Sequence, residues 1–189
     1  MKQTFLIFDD FYENPYAVRE RVLQQPFSKT ADYYPGRRTG IETPEQMLHL
    51  KEQLENILHK EITQFPTAYN TGYQCTIQGD DSWIHHDNTR WAGVVFLTPN
   101  APIEAGTGTF RHKSTKIDRW DGIQGSPSDF NGQDHLRDLS QWEATNLAGN
   151  VFNRLVLYNG FMYHRSIVPG FGTDKYTGRI IQNFFFDTE

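Results

Sequence analysis

The chain has 189 residues, enough for one domain with a sizeable core, and charged residues make up 22% of it, which argues against wholesale disorder. Its formal net charge of −5 argues against nucleic acid or an anionic membrane as the main partner. Aromatic residues make up 14% of the chain, a composition that favours a β-rich protein with an aromatic-lined interior.

The sequence carries few features of an exported protein. Its one cysteine, Cys75, excludes an intrachain disulfide and fits a reducing compartment. The apolar run at residues 5–8 is too short for a signal peptide, and acidic residues follow it directly. No apolar stretch approaches the length of a membrane span. We therefore expect a cytoplasmic protein with no membrane partner.

The N-terminal part, residues 1–68, is predicted to form a strand and two supporting helices. Residues 5–8 have the composition of a short strand. Asn14 and Pro15 predict the start of the first helix, because Asn is a favoured N-cap and Pro is tolerated in the first turn.

The second helix is the clearest predicted element. Thr43 is placed to cap it, Pro44 to open it, and Gln46 to complete a capping box. Apolar residues then recur near helical spacing, so the sequence predicts a helix over residues 44–62 that packs one face on the domain.

From residue 69 onward the pattern favours strands, since the apolar runs are short, β-branched or aromatic, and separated by Gly, Pro and Asn. Such a series is typical of a sandwich or closed barrel. We predict a single domain over 1–189, with its β core at 69–189, interrupted by a polar insertion at about 113–150 that carries one short helix near 134–145. The predicted strands are 72–78, 82–87, 92–98, 107–112, 151–158, 161–168 and 178–186.

A candidate metal site lies in the predicted strand at 82–87. Residues i and i+2 of a strand share a face, so His85 and Asp87 are expected to converge while His86 points away. His164, in another strand-like run, is the candidate third ligand. Two imidazoles and one carboxylate suit non-haem Fe(II) with open coordination positions, although these donors also accept Zn(II), Mn(II) or Co(II). The H-x-D triplet by itself favours an exposed His-Asp turn over a metal site, because short motifs are rarely specific.

Arg179 stands at the head of the apolar run 179–186. A charge that leads into a buried strand needs a partner, and the planar guanidinium fits a carboxylate in bidentate fashion. That carboxylate could belong to a bound dicarboxylic acid or to an Asp or Glu of the protein.

Six short segments follow one another in order between about residues 70 and 187. They are 85–87 (HHD), 94–100 (VVFLTPN), 106–110 (GTGTF), 153–158 (NRLVLY), His164 and 178–179 (GR). In order and spacing they resemble the 2-oxoglutarate/Fe(II)-dependent oxygenases, within them the prolyl-4-hydroxylase-like branch. The runs 11–19 (FYENPYAVR) and 34–38 (YPGRR) are similar to a poorly characterised group of small bacterial and phage-borne members.

This resemblance implies a double-stranded β-helix, of the jelly-roll or cupin-like kind, that uses Fe(II), 2-oxoglutarate and O₂. His85, Asp87 and His164 match the iron ligands of the superfamily, and Arg179 matches the residue that binds the distal carboxylate of 2-oxoglutarate. The presence of Asp87 implies hydroxylation rather than halogenation. Ile181 departs from the pattern, because many relatives have Ser or Thr there.

Other residues are candidates for the remaining contacts. A hydroxyl that replaces the one absent at Ile181 could come from Tyr73, Thr76 or Tyr158. Candidate substrate contacts are Arg90 and Trp91, which follow the first ligands, and Arg37 and Arg38, in a turn-rich segment.

The expected substrate is an amino acid, a peptide or a small metabolite, and no nucleic acid is expected. Two alternatives stay open. One is a cupin-like metal-binding protein without 2-oxoglutarate chemistry, such as a hydrolase, isomerase or sensor. The other is a binding module on a jelly-roll scaffold.

Overall fold

The computed structural model describes residues 4–29, 32, 34–123 and 133–189. Within these ranges, two short 3-10 helices, Gln133–Leu136 and Leu139–Gln141, accompany two α-helices and ten strands. No helix among the described residues is long and apolar enough to cross a membrane. In chain order the main elements are β1 (Phe5–Phe8), α1 (Pro15–Leu23), β2 (Arg37–Arg38), α2 (Pro44–Leu58), β3 (Ile62–Gln64), β4 (Tyr73–Thr76), β5 (Trp91–Phe96), β6 (Thr107–His112), β7 (Trp142–Ala148), β8 (Leu155–Asn159), β9 (His164–Ser166) and β10 (Arg179–Thr188).

The strands form two antiparallel sheets. The large sheet has the order β1-β8-β5-β10-β4-β2, and β3 pairs with the end of β10. The small sheet has the order β7-β6-β9. This is a mainly β protein with N-terminal helices and a double-stranded β-helix core, so the predicted fold class is confirmed.

The two helices cover one face of the large sheet. Leu50 and Leu54 of α2 join a core that includes Phe184 and Ile180 of β10. Burying large apolar side chains in this way is the main favourable contribution to folding. The opposite face of the large sheet looks toward the small sheet, where Ile181 belongs to a separate apolar cluster. The alternation of side chains along each strand therefore decides whether a residue joins the helix-side core or the space between the sheets.

Both helices begin where the sequence predicts. The side chain of Asn14 accepts a hydrogen bond from the backbone of Ala17, and Thr43 and Gln46 form the complete capping box. The predicted end of α2 at residue 62 is wrong, because the helix ends at Leu58 and is followed by His59 in a left-handed conformation with φ 52°. Ile62 begins β3 instead, which pairs with the C-terminal end of β10.

Two further predictions of local structure are wrong. The predicted strand at 82–87 is irregular, with a single backbone bridge between His85 and His164. The predicted helix near 134–145 is replaced by the two 3-10 helices and by β7, which is stabilised by pairing with β6. His164, the partner of His85, and β6, the partner of β7, are both distant in sequence, so the local sequence pattern could not reveal either pairing. Residues 124–132 of the predicted insertion lie outside the described residues.

Candidate metal centre and its cavity

Three predicted ligands meet at one point between the two sheets. One ligand atom from each of His85, Asp87 and His164 lies within 4.8 Å of the others. The Nε2 of His164 is 3.2 Å from Oδ2 of Asp87, and the two imidazole rings are 4.4 Å apart between centroids. This spacing allows one ion to contact all three side chains.

The two imidazoles are oriented by the backbone. The Nδ1 of His85 donates to the carbonyl of Trp83 at 2.9 Å, and the Nδ1 of His164 donates to the carbonyl of Met162 at 2.8 Å. A carbonyl can only accept, so each Nδ1 carries a proton and each Nε2 is the ring nitrogen left to face a metal. This donor set, two oriented imidazoles and one carboxylate, fits a divalent transition metal.

The protonation states of His85 and Asp87 also suit metal binding. Burial, together with the nearby His164, lowers the pKa of His85 to about 4. Burial raises the pKa of the Asp87 carboxyl, but the interactions with His164 and His85 outweigh it, so its pKa lies below the ordinary value. At neutral pH His85 is thus neutral and Asp87 is ionised, which are the forms that bind metals.

Arg179 lies at the start of β10 and is only 3% exposed. Its Nε donates to the carbonyl of Ala105 at 2.9 Å, and its guanidinium lies 5.4 Å from the ring centroid of Phe96. No carboxylate among the described residues forms an ion pair with it. Burial lowers the pKa of Arg179 to about 10, so it is still charged at neutral pH. Within the described chain, the alternative of an internal salt bridge is therefore not observed.

One cavity of about 350 Å³ contains both the triad and Arg179. Every second residue of β10 lines it, beginning with Arg179 and continuing through Ile181 and Asn183 to Phe185. Because strand side chains alternate between faces, the intervening apolar residues of β10 belong to the helix-side core instead. The register of one strand thus places the guanidinium in the same chamber as the metal ligands.

Tyr158 of β8 lies between the two charged ends of this cavity. Its ring centroid is 4.5 Å from that of His164. Burial and the charge of Asp87 raise the pKa of Tyr158 above its ordinary value, although Arg179 partly opposes this. The phenol therefore keeps its proton and is a hydrogen-bond donor beside Arg179.

Comparison with known proteins gives a family. The model of a family described as "Family of unknown function (DUF6445)" matches residues 1–186. This chain belongs to the DUF6445 family. No curated protein matches the sequence.

Several solved structures resemble the DUF6445 chain at low identity. One is a prolyl hydroxylase from Trichoplax adhaerens in complex with a hypoxia inducible factor oxygen degradation domain peptide fragment. It has a TM-score of 0.58 at 14% identity, and the match covers 97% of this chain and 83% of the hydroxylase chain. A prolyl-4-hydroxylase from Pseudomonas putida has a TM-score of 0.54 at 12% identity, and the match covers 98% of this chain and 92% of the hydroxylase chain. HygX from Streptomyces hygroscopicus, with nickel, 2-oxoglutarate and hygromycin B bound, has a TM-score of 0.53 at 12% identity. The match covers 97% of this chain and 82% of the HygX chain. At these identities the likeness shows a shared fold.

Three residues were predicted to supply the hydroxyl that is absent at Ile181. The structure brings Tyr158 to the cavity and leaves the other two outside its lining. Tyr73 points to the helix side of β4, where its hydroxyl bonds the buried Glu42 side chain, which is also paired with the partly exposed Arg21. Thr76 is buried opposite Arg179 across the β4–β10 pair but does not line the cavity.

Of the four candidate substrate contacts, the structure brings only Arg38 to the cavity. Arg90 is exposed and bonds Asp187 through its backbone. The indole of Trp91 is buried in the helix-side core. Arg37 is exposed on the opposite face of β2 from Arg38. The positions of Trp91 and Arg37 follow from strand alternation, whereas Arg90 lies in the bend before β5.

Several lining residues were missed by sequence reasoning. His86, expected to point away, lines the cavity with its ring stacked on Trp120 at 4.8 Å, because its segment is not a regular strand. Gln74 and Thr107 contribute polar side chains from β4 and β6. Thr107 lies inside the GTGTF segment, so that motif was a usable signal, whereas nothing in the local sequence distinguishes Gln74.

Proposed function

We propose that this protein is a non-haem Fe(II)- and 2-oxoglutarate-dependent oxygenase of the prolyl-4-hydroxylase-like branch, which hydroxylates a C–H bond of an amino acid, peptide or small metabolite. The observation that carries the proposal is one cavity that holds both a His-Asp-His triad and a buried arginine without an acidic partner among the described residues. A metal alone would not require that arginine, since burying an uncompensated charge is costly.

The proposed roles follow from position. His85, Asp87 and His164 would hold Fe(II), which with 2-oxoglutarate and O₂ supplies the oxidising chemistry when bound. Arg179 would bind the distal carboxylate of 2-oxoglutarate through charge-assisted hydrogen bonds. Tyr158, which lines the same cavity, would donate a hydrogen bond to the same carboxylate in place of the hydroxyl absent at Ile181.

The surrounding protein would orient the reactants and keep water away. Arg179 and His164 are each 3% exposed, so both ends of the cosubstrate would be held in a poorly solvated chamber. In such a chamber electrostatic contacts are stronger than in water, and side reactions with solvent are suppressed. The similarity to the prolyl hydroxylases and to HygX supports this assignment through the shared fold.

The test is an anaerobic titration of the Fe(II) protein with 2-oxoglutarate. We expect a visible metal-to-ligand charge-transfer band that saturates at one equivalent per chain, followed by succinate release when O₂ and a substrate panel are added. A protein that binds Fe(II) stoichiometrically but gives no such band would instead be a metal-binding protein without 2-oxoglutarate chemistry.

A further inference from the structure

The direction in which Arg179 presents its guanidinium depends on one backbone carbonyl. The Nε of Arg179 donates to the carbonyl of Ala105 at 2.9 Å, and neither terminal nitrogen has a hydrogen-bond partner among the described residues. Because the guanidinium is planar, fixing Nε also fixes the direction of the other N–H groups. Arg179 lines the cavity, so those groups are the ones available to a ligand. The position of the Ala105 carbonyl therefore decides where the guanidinium can meet a carboxylate.

A second side chain is bound to the same carbonyl. The Nδ2 of Asn150, in the link between β7 and β8, donates to the oxygen of Ala105 at 3.1 Å. A carbonyl oxygen has two lone pairs, so it can accept from Asn150 and from Arg179 together. The backbone N–H of Asn150 also donates to the carbonyl of Ile103 at 2.9 Å, which ties this asparagine to the segment before β6 at two points. Asn150, Ala105 and Arg179 are each 3% exposed or less.

The close approach of the two segments depends on a glycine. A Cβ at Gly106 would lie 1.8 Å from the carbonyl oxygen of Ala148 and 3.1 Å from the backbone nitrogen of Asn150, so no side chain fits there. Gly106 is the first residue of the GTGTF segment. Its lack of a side chain lets the chain at 105–106 pack directly on the chain at 148–150, which brings the Asn150 amide to Ala105.

The other end of the Asn150 amide makes no hydrogen bond within the described chain. Because the Ala105 carbonyl can only accept, Nδ2 has to face it and Oδ1 has to point elsewhere. No donor among the described residues meets Oδ1, although that atom is buried. The contact with Ala105 is thus the single protein hydrogen bond of this side chain, and the carbonyl that it holds is the one that orients Arg179.

Resting on the proposed function, we propose that Asn150 is a positioning residue for 2-oxoglutarate. It holds the carbonyl of Ala105 in place and thereby directs the terminal nitrogens of Arg179 at the distal carboxylate of the cosubstrate. Asn150 is not among the residues that line the cavity, so its effect passes through Arg179. Without it, the guanidinium would sample a wider range of positions, and hydrogen bonds to a carboxylate weaken steeply as their geometry departs from ideal.

The experiment compares two 2-oxo acids in anaerobic Fe(II) protein that carries Asn150→Leu. 2-Oxoglutarate and 2-oxopentanoate share the metal-chelating end, but only 2-oxoglutarate has a distal carboxylate for Arg179. We expect the Kd of 2-oxoglutarate, measured from the visible band, to rise about threefold to tenfold, the effect of one hydrogen bond. The Kd of 2-oxopentanoate and the Fe(II) stoichiometry should stay unchanged. A purely structural role would change both Kd values or neither.

A double variant tests the route through Arg179. In an Arg179→Gln background, adding Asn150→Leu should leave the Kd of 2-oxoglutarate nearly unchanged, because the group that Asn150 positions is already absent. Leucine has the branched shape of asparagine without its polar atoms. Asn150→Ala is measured in parallel, because it removes the amide without adding apolar bulk, and the same rise in the Kd of 2-oxoglutarate is expected.

Asn153→Ala is the matched control. Asn153 is also buried, and its amide exchanges hydrogen bonds of 2.8 and 2.9 Å with the backbone of Tyr12. Its loss should lower the resistance of the protein to urea and leave the Kd values of both oxo acids unchanged. This control separates the loss of any buried amide from the loss of the one that holds Ala105.

Three results would overturn the role of Asn150. They are an unchanged Kd of 2-oxoglutarate in Asn150→Leu and Asn150→Ala, equal rises for both oxo acids, or full additivity with Arg179→Gln. Failure of the proposed function is distinguishable from these, because the wild-type protein would then give no visible band with 2-oxoglutarate, which overturns both proposals. A normal wild-type band with any of the three results overturns the role of Asn150 alone.

Discussion

His85 and His164 are joined by two reciprocal backbone hydrogen bonds, 3.1 Å from the N–H of His85 to the carbonyl of His164 and 2.8 Å in the reverse direction. This bridge connects two segments far apart in the chain and sets the distance between their imidazoles. The N–H of Asp87 is bound in turn to the carbonyl of Gly160 at 2.7 Å. Main-chain pairing therefore positions the members of the triad relative to one another.

Removing either imidazole should abolish metal binding and keep the fold. We expect His85→Ala and His164→Ala to lose stoichiometric iron, because two remaining ligands hold a divalent ion weakly. Metal analysis of the purified proteins, with circular dichroism as a check on folding, measures this. His49→Ala, on the exposed face of α2, is the control that should retain iron. Wild-type iron content in both triad variants would contradict the metal assignment.

Arg179→Gln should weaken 2-oxoglutarate binding and spare the metal. Loss of a charge-assisted contact to the distal carboxylate is expected to raise the Kd of 2-oxoglutarate about ten- to a hundredfold. Titration of the visible band gives this Kd, and Fe(II) stoichiometry serves as the internal check. Arg154→Gln, which breaks a partly exposed ion pair with Asp9, is the matched control. An unchanged Kd in Arg179→Gln would mean that this arginine does not bind the cosubstrate.

Two tyrosines should respond differently to loss of the hydroxyl. Tyr158→Phe should raise the Kd of 2-oxoglutarate about threefold to tenfold, the effect of one hydrogen bond. Tyr73→Phe should leave that Kd unchanged and instead lower the free energy of unfolding by about 1–3 kcal/mol, because the buried carboxylate of Glu42 loses a partner. Urea unfolding and 2-oxoglutarate titration of both variants test this. The reverse pattern would restore Tyr73 as the cosubstrate contact.

Cys75 should be inert in the folded protein. Burial, with a smaller contribution from Asp80, raises the pKa of its thiol from 9.0 to about 11. Little thiolate exists at pH 8, so a disulfide reagent should react with it only after unfolding.

The same shift predicts a pH dependence of stability. Between pH 9 and 11 the folded chain keeps a proton that the unfolded chain has lost, so the contribution of Cys75 is complete below pH 9 and disappears as the pH rises toward 11. Urea unfolding across this range, compared with Cys75→Ala, should show a steeper decline for the wild type. Parallel profiles would show that the thiol does not titrate in this way.

Sequence patterns were most informative where the physical cause is local. The capping box of Thr43 and Gln46 fixed the start of α2 because both hydrogen bonds are made within one turn. The end of the same helix was misplaced, since the chain carries no Gly or Pro there and the stop depends on His59 adopting a left-handed conformation. A pairing of β3 with β10 decides that position, and pairing partners are distant in sequence.

The candidate site likewise has features that the sequence shows and others that depend on tertiary structure. Some features of the site can be read directly from the sequence. They are the spacing of His85 and Asp87, the apolar run after Arg179, and the presence of Ile181 where many oxygenases have Ser or Thr. The roles of Tyr73 and Trp91 could not, because each side chain faces the core or the cavity according to the strand register.

The amino-acid sequence by itself determined the donor chemistry, the helix starts and the β-rich class, because these depend on residue type and on spacing along a few consecutive residues. Only the tertiary structure decided that Arg38 and Tyr158 share a chamber with the triad while Arg37 and Tyr73 do not. The physical reason is that strands are completed by hydrogen bonds to remote segments, and a shift of one residue in that pairing turns every side chain to the other face.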